Sequence, residues 1–238
     1  MRILALDTSA KSASCAVWEN DVLLAESFIN TRLTHSETLM PMLHSTLQNA
    51  KLQLGDTDYL ALTHGPGSFT GLRIGTAAVK GLCAGLQRPC VGVSTLEATA
   101  YNLLGWHGYI VPAMDARRGQ VYTAAFLCDE SGIRRLTDDC AADAAGVLTA
   151  CSDENLPVYL LGDGASLCYN TVGADSRVRL APAHLLFTRA GAVAQCAAAH
   201  IQKGEAGPAR DLGISYIRLS QAQRELAQRQ QSAPSGAD

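Results

Sequence analysis

One stretch of this chain is written twice. Ile3-Leu4-Ala5-Leu6-Asp7 through Trp18 returns, at a constant offset, as Val111-Pro112-Ala113-Met114-Asp115 through Phe126. Each copy is an apolar strand, an aspartate at its end, a polar turn (Thr8 to Lys11, then Ala116 to Gly119) and a second strand closing on an aromatic residue. Recurrence of a whole strand-turn-strand unit predicts two related α/β lobes. The boundary falls near Leu104 to Gly108, which gives an N-terminal lobe over 1–105 and a C-terminal lobe over 106–238. With 238 residues, 47% of them hydrophobic, the chain is long enough to bury a sizeable core.

Local pattern supplies the other elements. The run Arg2 to Thr8 is continuously apolar up to its polar end, as a strand buried on both faces requires. Ser14 to Trp18 and Val22 to Phe28, separated by the turn Glu19-Asn20-Asp21, complete a three-strand meander. Thr34-His35-Ser36-Glu37 reads as a capping box ahead of Leu39, Leu43 and Leu47, a helix to about Lys51 in which Pro41 removes one donor. A strand at Tyr59 to Thr63, a helix from Phe69 to Leu86, a strand at Cys90 to Val93 and a helix from Thr95 to Leu104 follow. In the second half the pattern predicts a strand at Val158 to Leu161, a long apolar helix from Leu185 to Ile201, a polar helix from Gln221 and a disordered tail from Ser232 to Asp238.

Composition removes several function classes. A net charge of -3 gives no broad basic face for nucleic acid, so any contact with RNA is local or shared. The eight cysteines never form Cys-x-x-Cys, and the six histidines include no His-x-x-x-His, so the usual zinc spacings are missing. Buried thiols in a reducing compartment are the expectation. Gly-x-Ser-x-Gly is likewise missing. No leader-like or membrane-length apolar run is present, which predicts a cytoplasmic chain without membrane contact.

The repeated aspartates carry the candidate chemistry. A carboxylate at a strand end beside turn amides suits an Mg-nucleotide phosphate site, and two such hairpins facing across a cleft make the actin-like ATPase arrangement. Asp7, Thr8 and Ser9 would supply one side, and Asp115 with Arg118 the other. Gly65-Pro66-Gly67-Ser68 ahead of a helix could add a phosphate nest, for which Gly67 and Ser68 are the candidates. Each aspartate alone would serve equally as a strand terminator, and the Arg117 and Arg118 pair equally as a solvated turn. Gly71, Gly75, Ala78 and Gly85 place small residues along one side of the second helix, with Leu82 in their middle, where close packing of another helix would offset the cost of interior glycine.

Ile-Leu-Ala-Leu-Asp-Thr-Ser at 3–9, His-Ser-Glu at 35–37, Gly-Pro-Gly-Ser-Phe-Thr-Gly-Leu-Arg-Ile-Gly at 65–75 and Asp-Ala-Arg-Arg-Gly at 115–119 closely resemble the bacterial TsaB (YeaZ) family. Ser94 to Ala98 and Leu161 to Gly164 reinforce the match, which covers nearly the whole chain. The resemblance implies an actin-like fold and participation in making threonylcarbamoyladenosine in tRNA, at the adenosine 3′ of the anticodon. It implies a heterodimer with the paralogous catalytic subunit TsaD, joined by the ATPase TsaE, with tRNA reached only through the complex; whether the isolated chain forms a homodimer is left open by the sequence. No firm cofactor follows, ATP or ADP with Mg at or near a partner interface being the candidate. TsaD-like proteins carry a His-Leu-Glu-Gly-His-type metal motif where this chain has Thr95-Leu96-Glu97-Ala98-Thr99. With both imidazoles gone, no metal and no catalytic residue is expected at Thr95, Glu97 and Thr99, and the old grouping with metallopeptidases fails by the same test.

Three hypotheses therefore stand in order: a non-catalytic subunit of a tRNA-modifying complex, an independent ATPase or kinase on the same fold, and a metallopeptidase. For the first, the partner face is expected on the helices starting near His35 and Phe69, through Leu39, Met40, Leu43 and Leu47 on one and Gly71, Gly75 and Ala78 on the other.

Overall fold

A computed structural model of the chain describes residues 1–31, 33–173 and 175–218; the expected polar helix from Gln221 and the tail beyond it lie outside the described residues. The first lobe opens with the antiparallel meander β1 (Arg2–Asp7), β2 (Ala13–Glu19) and β3 (Val22–Ile29). It continues through α1 (His35–Asn49), β4 (Tyr59–Gly65), α2 (Phe69–Leu86), β5 (Cys90–Ser94) and the short α3 (Thr95–Ala100). β1 alternates faces as a strand must: Leu4 and Leu6 meet the core under α1 and α2, while Ile3 and Ala5 meet the opposite layer. The sheet runs β3-β2-β1-β4-β5, with β4 and β5 parallel to β1.

The second lobe comprises β6 (Gly108–Asp115), β7 (Gln120–Thr123), β8 (Phe126–Asp129), β9 (Gly132–Arg135), β10 (Cys140–Asp143), β11 (Val158–Leu161), α4 (Ala165–Thr171) and β12 (Val178–Leu180). Its order, β10-β7-β6-β11-β12, repeats the first sheet with β6 in the place of β1. β7 and β8 are halves of one strand on β6: the register from Asp115 opposite Val121 to Gly108 opposite Cys128 is continuous. The hydrogen-bond ladder, not the register, is interrupted beside Pro112, which has no N–H to give it. The duplicated, actin-like α/β architecture anticipated from the repeat is therefore present, with one difference. Asp7 faces Ser14, whereas Asp115 faces Val121, so the second turn is one residue shorter.

Two expectations are corrected. The apolar helix α5 begins at Ala190, not Leu185, and ends at Gln202. The Asn102 amide donates to the carbonyls of Leu185 and Phe187 at 2.9 and 2.7 Å, which commits those carbonyls outside a helix. The second concerns the packing on either side of the expected split at 105/106. α5 lies on the first sheet, where Ala190, Val193, Ala194 and Ala197 pack with Ile3, Ala5, Ala16 and Trp18. Small side chains on that helix let the two backbones approach, so the C-terminal part of the chain completes the N-terminal lobe. Its N-terminus is fixed by Glu26 of β3, which accepts from Gly191 N–H at 2.9 Å and from the Arg189 guanidinium at 2.5 Å.

Candidate functional site

The β1–β2 turn is held by Asp7. Its Oδ1 accepts from the Ser9 N–H (3.1 Å), the Ser9 hydroxyl (2.6 Å) and the Thr63 hydroxyl of β4 (2.5 Å), while Oδ2 is buried with no partner. Burial pushes this carboxyl above its ordinary range, against the lowering effect of those three donors. Thr8 donates to Gly71 O at 2.8 Å, and Ser9 O accepts from Ser68 N–H at 2.7 Å. The glycine-rich loop thus docks on the turn. A Cβ at Gly67 would stand 2.3 Å from Ser9 O, which is why only glycine fits there.

The β6–β7 turn repeats this geometry in a more open form. Asp115 Oδ1 accepts from Arg117 N–H at 2.7 Å, the same two-residue closure that Asp7 makes with Ser9. Where Thr63 donates to Asp7 in the first lobe, Gly164 stands in the second, and the adjacent Asp163, just after β11, accepts from Asp115 N–H at 2.9 Å. Burial raises the Asp163 carboxyl, and the neighbouring Asp115 charge adds to the shift. Arg117 and Arg118 both have positive φ, 65° and 58°, in the tightened turn.

Between the two turns lies a cleft of about 420 Å³. Of the residues expected there, Ser9, Gly67, Ser68 and Asp115 line it. Asp7 and Thr8 do not; they are buried beneath the turn as its supports. Arg118 is exposed but does not line the cleft, and Arg117 takes that position. Sequence reasoning missed Lys11, Tyr122, Asp163 and Arg218, which also line it. Asp163 sat in a visible Gly-Asp-Gly turn, but its role depends on β11 pairing with β6. Arg218 arrives on a segment that crosses between lobes: Tyr216 stacks on Phe69 at 4.7 Å, and Arg218 donates to Ala116 O at 3.0 Å and to the Gln120 side chain. Three cations, Lys11, Arg117 and Arg218, thus face two carboxylates, Asp115 and Asp163. That mixture can hold an anionic phosphate chain together with a hard cation.

The residues expected on the partner face lie mostly inward. Leu39, Leu43 and Leu47 are buried in the chain's own core beneath α1, so they are not available to a partner, whereas Met40 is 48% exposed. Gly71 and Gly75 are buried against Thr8, and Ala78 is half-buried on the same core. The small-residue stripe serves the approach of α2 to the β1–β2 turn. Gly85, expected on that stripe, is instead exposed with nothing within 4 Å of a Cβ built on it, and it shares the exposed side of α2 with Ala77, Gly81 and Ala84.

Residues 23–203 match the family described as TsaD, tRNA N6-adenosine threonylcarbamoyltransferase. The Bacillus subtilis tRNA threonylcarbamoyladenosine biosynthesis protein TsaB is 35% identical over 167 residues, which cover 70% of this chain and 73% of that protein. The chain belongs to the TsaB (YeaZ) family. The Escherichia coli TsaB is 39% identical over 135 residues, 56% of this chain and 58% of that protein. A Pseudomonas aeruginosa structure described as similar to peptidase YeaZ superposes with a TM-score of 0.78 at 26% identity, over 91% of this chain and 99% of that one. At the position of the TsaD-type metal motif, this TsaB-family chain buries both threonines. Thr99 Oγ1 donates to Thr95 O at 2.6 Å and shares a hydrogen bond with Thr188 Oγ1 at 2.7 Å. Glu97 pairs elsewhere, with Arg135 and His200.

Proposed function

We propose that this chain serves tRNA threonylcarbamoyladenosine biosynthesis as the non-catalytic partner of a TsaD-like transferase subunit, in an assembly that a TsaE-like ATPase joins. The observation that carries this reading is the pairing of TsaB family membership with Thr95 and Thr99, two buried hydroxyls where the catalytic paralogue has imidazoles. Neutral hydroxyls are poor ligands for a d-block cation, so the transferase centre belongs to the partner. The inter-lobe cleft supports nucleotide binding: Lys11, Arg117 and Arg218 would meet phosphates, and Asp115 and Asp163 a magnesium ion carried with them. Asp7 would act by fixing the turn, since its one bonded oxygen is saturated and the other is buried. The TsaD-like subunit would dock on the outer sides of α1 and α2, through Met40, Ala77, Gly81 and Gly85.

The test is depletion and rescue. Cells lacking the chain should lose the modified nucleoside from digested tRNA by mass spectrometry, and wild-type protein should restore it. Gly81→Arg should remain folded, fail to co-purify the TsaD-like subunit and fail to rescue. Rescue by Gly81→Arg with normal co-purification would move the interface elsewhere. Steady ATP turnover by the purified chain alone would favour the independent ATPase or kinase.

A further inference from the structure

Glu97 on α3 and Cys196 and His200 on α5 form a cluster that the inter-lobe cleft does not use. Cys196 and His200 are one helical turn apart and so share a face of α5. One ligand atom from each residue, a thiol sulfur, an imidazole nitrogen and a carboxylate oxygen, lies within 4.8 Å of the other two. Glu97 Oε1 stands 3.3 Å from His200 Nε2. Two ligands at zinc bond lengths of about 2.0–2.2 Å on a tetrahedral centre are themselves roughly 3.3–3.5 Å apart, so this pair already has the ligand spacing.

The surrounding groups orient the same atoms. Arg135 donates to Glu97 Oε2 at 3.2 Å, which leaves Oε1 turned to the histidine. Glu205 Oε2 lies 2.5 Å from His200 Nδ1, the carboxylate–histidine pairing that keeps a proton on Nδ1 and presents Nε2 to a metal. Cys196 is fully buried at the floor, while the Glu97 and His200 side chains are 20% and 18% exposed, so the open side faces solvent. Glu97, Glu205 and Asp139 surround the imidazole with Arg135 and the nearby Lys203, so a dication that displaces two protons leaves the local charge unchanged.

We propose that Glu97, Cys196 and His200 bind a zinc-class dication with a solvent-open fourth position, clipping α3 to α5. Thiolate, imidazole and carboxylate together suit zinc over magnesium or calcium. On binding, the cation replaces the proton shared between Nε2 and Glu97 and expels the Cys196 thiol proton to solvent. Thr95 and Thr99 are outside the set, Thr99 Oγ1 donating to Thr95 O and sharing a hydrogen bond with Thr188 Oγ1, so of the three positions at which no metal was expected only Glu97 takes part.

The experiment titrates metal-free protein with Co(II), reading thiolate-to-cobalt charge transfer and tetrahedral d–d bands, and with Zn(II) against a chromophoric chelator. One equivalent should bind, and Cys196→Ser should abolish the charge-transfer band. Glu205→Gln should weaken zinc by about 10–100-fold, and His200→Gln and Glu97→Gln by more. Cys140→Ser, at the exposed thiol, should change nothing. Circular dichroism verifies that each variant is folded; if Cys196→Ser is not, the two partly exposed ligands carry the test. No charge-transfer band in wild type, or affinity unchanged in both His200→Gln and Glu97→Gln, overturns the site.

Discussion

Four glycines of α2 should respond to alanine with opposite signs. A Cβ on Gly71 would stand 2.0 Å from the Thr8 carbonyl oxygen, and one on Gly75 would stand 2.4 Å from Thr8 Oγ1; at Gly81 and Gly85 it would meet nothing within 4 Å. At Gly71 the obstacle is backbone, so the turn above the helix must retreat. Overpacking of this kind costs about 1–3 kcal/mol, and loosening the Thr8–Gly71 hydrogen bond adds about 1 kcal/mol. Helix propensity returns about 0.5–1 kcal/mol. The net for Gly71→Ala is a loss of about 1–3.5 kcal/mol, which lowers the thermal midpoint by roughly 2–14 °C in a chain this size. Gly81→Ala and Gly85→Ala keep only the propensity gain, about 0.5–1 kcal/mol each. Urea unfolding of the isolated chain, with slopes checked for constancy, measures all of these. A midpoint for Gly71→Ala at or above wild type, or a loss in Gly81→Ala as large as in Gly71→Ala, would refute the assignment of the inner stripe to the turn.

Three further outcomes are expected. Because burial raises the Asp7 carboxyl, the folded chain holds that proton more tightly than the unfolded one; Asp7 therefore contributes stability below about pH 3.9 that is lost as pH rises through the folded value. Relative to Asp7→Asn, wild-type stability should decline from acid toward neutral pH, and parallel urea-midpoint profiles would contradict it. Glu26→Ala removes both the Gly191 N–H acceptor at the start of α5 and the Arg189 ion pair, and should cost about 1–2 kcal/mol by the same unfolding assay; an unchanged midpoint would show that the helix needs no such anchor. Native alkylation should modify Cys140 before any other thiol, since the other seven are buried; peptide mapping that finds another cysteine labelled first would contradict that accessibility.

The inward-facing positions of α1 show why some assignments could not come from pattern alone. Leu39, Leu43 and Leu47 announce an amphipathic helix, but an apolar stripe looks the same whether it faces its own sheet or a partner. The small residues of α2 are ambiguous in the same way until the Thr8 turn is seen above them. Lys11 and Arg218 carried no signal as cleft residues, because each is an ordinary charge until folding brings it to the cleft. The spacing of Cys196 and His200 was visible, but its third member, Glu97, comes from a different helix.

The sequence alone determined the duplicated fold and the strand-end aspartates, because these are properties of pattern and side-chain identity. Tertiary structure decided that α5 crosses back to complete the first lobe and that Asp7 supports a turn while Asp115 opens on the cleft. It also decided which face of α1 and α2 is left exposed. The physical reason is that burial and proximity depend on which surfaces fold against one another, and residues far apart in the chain set those contacts.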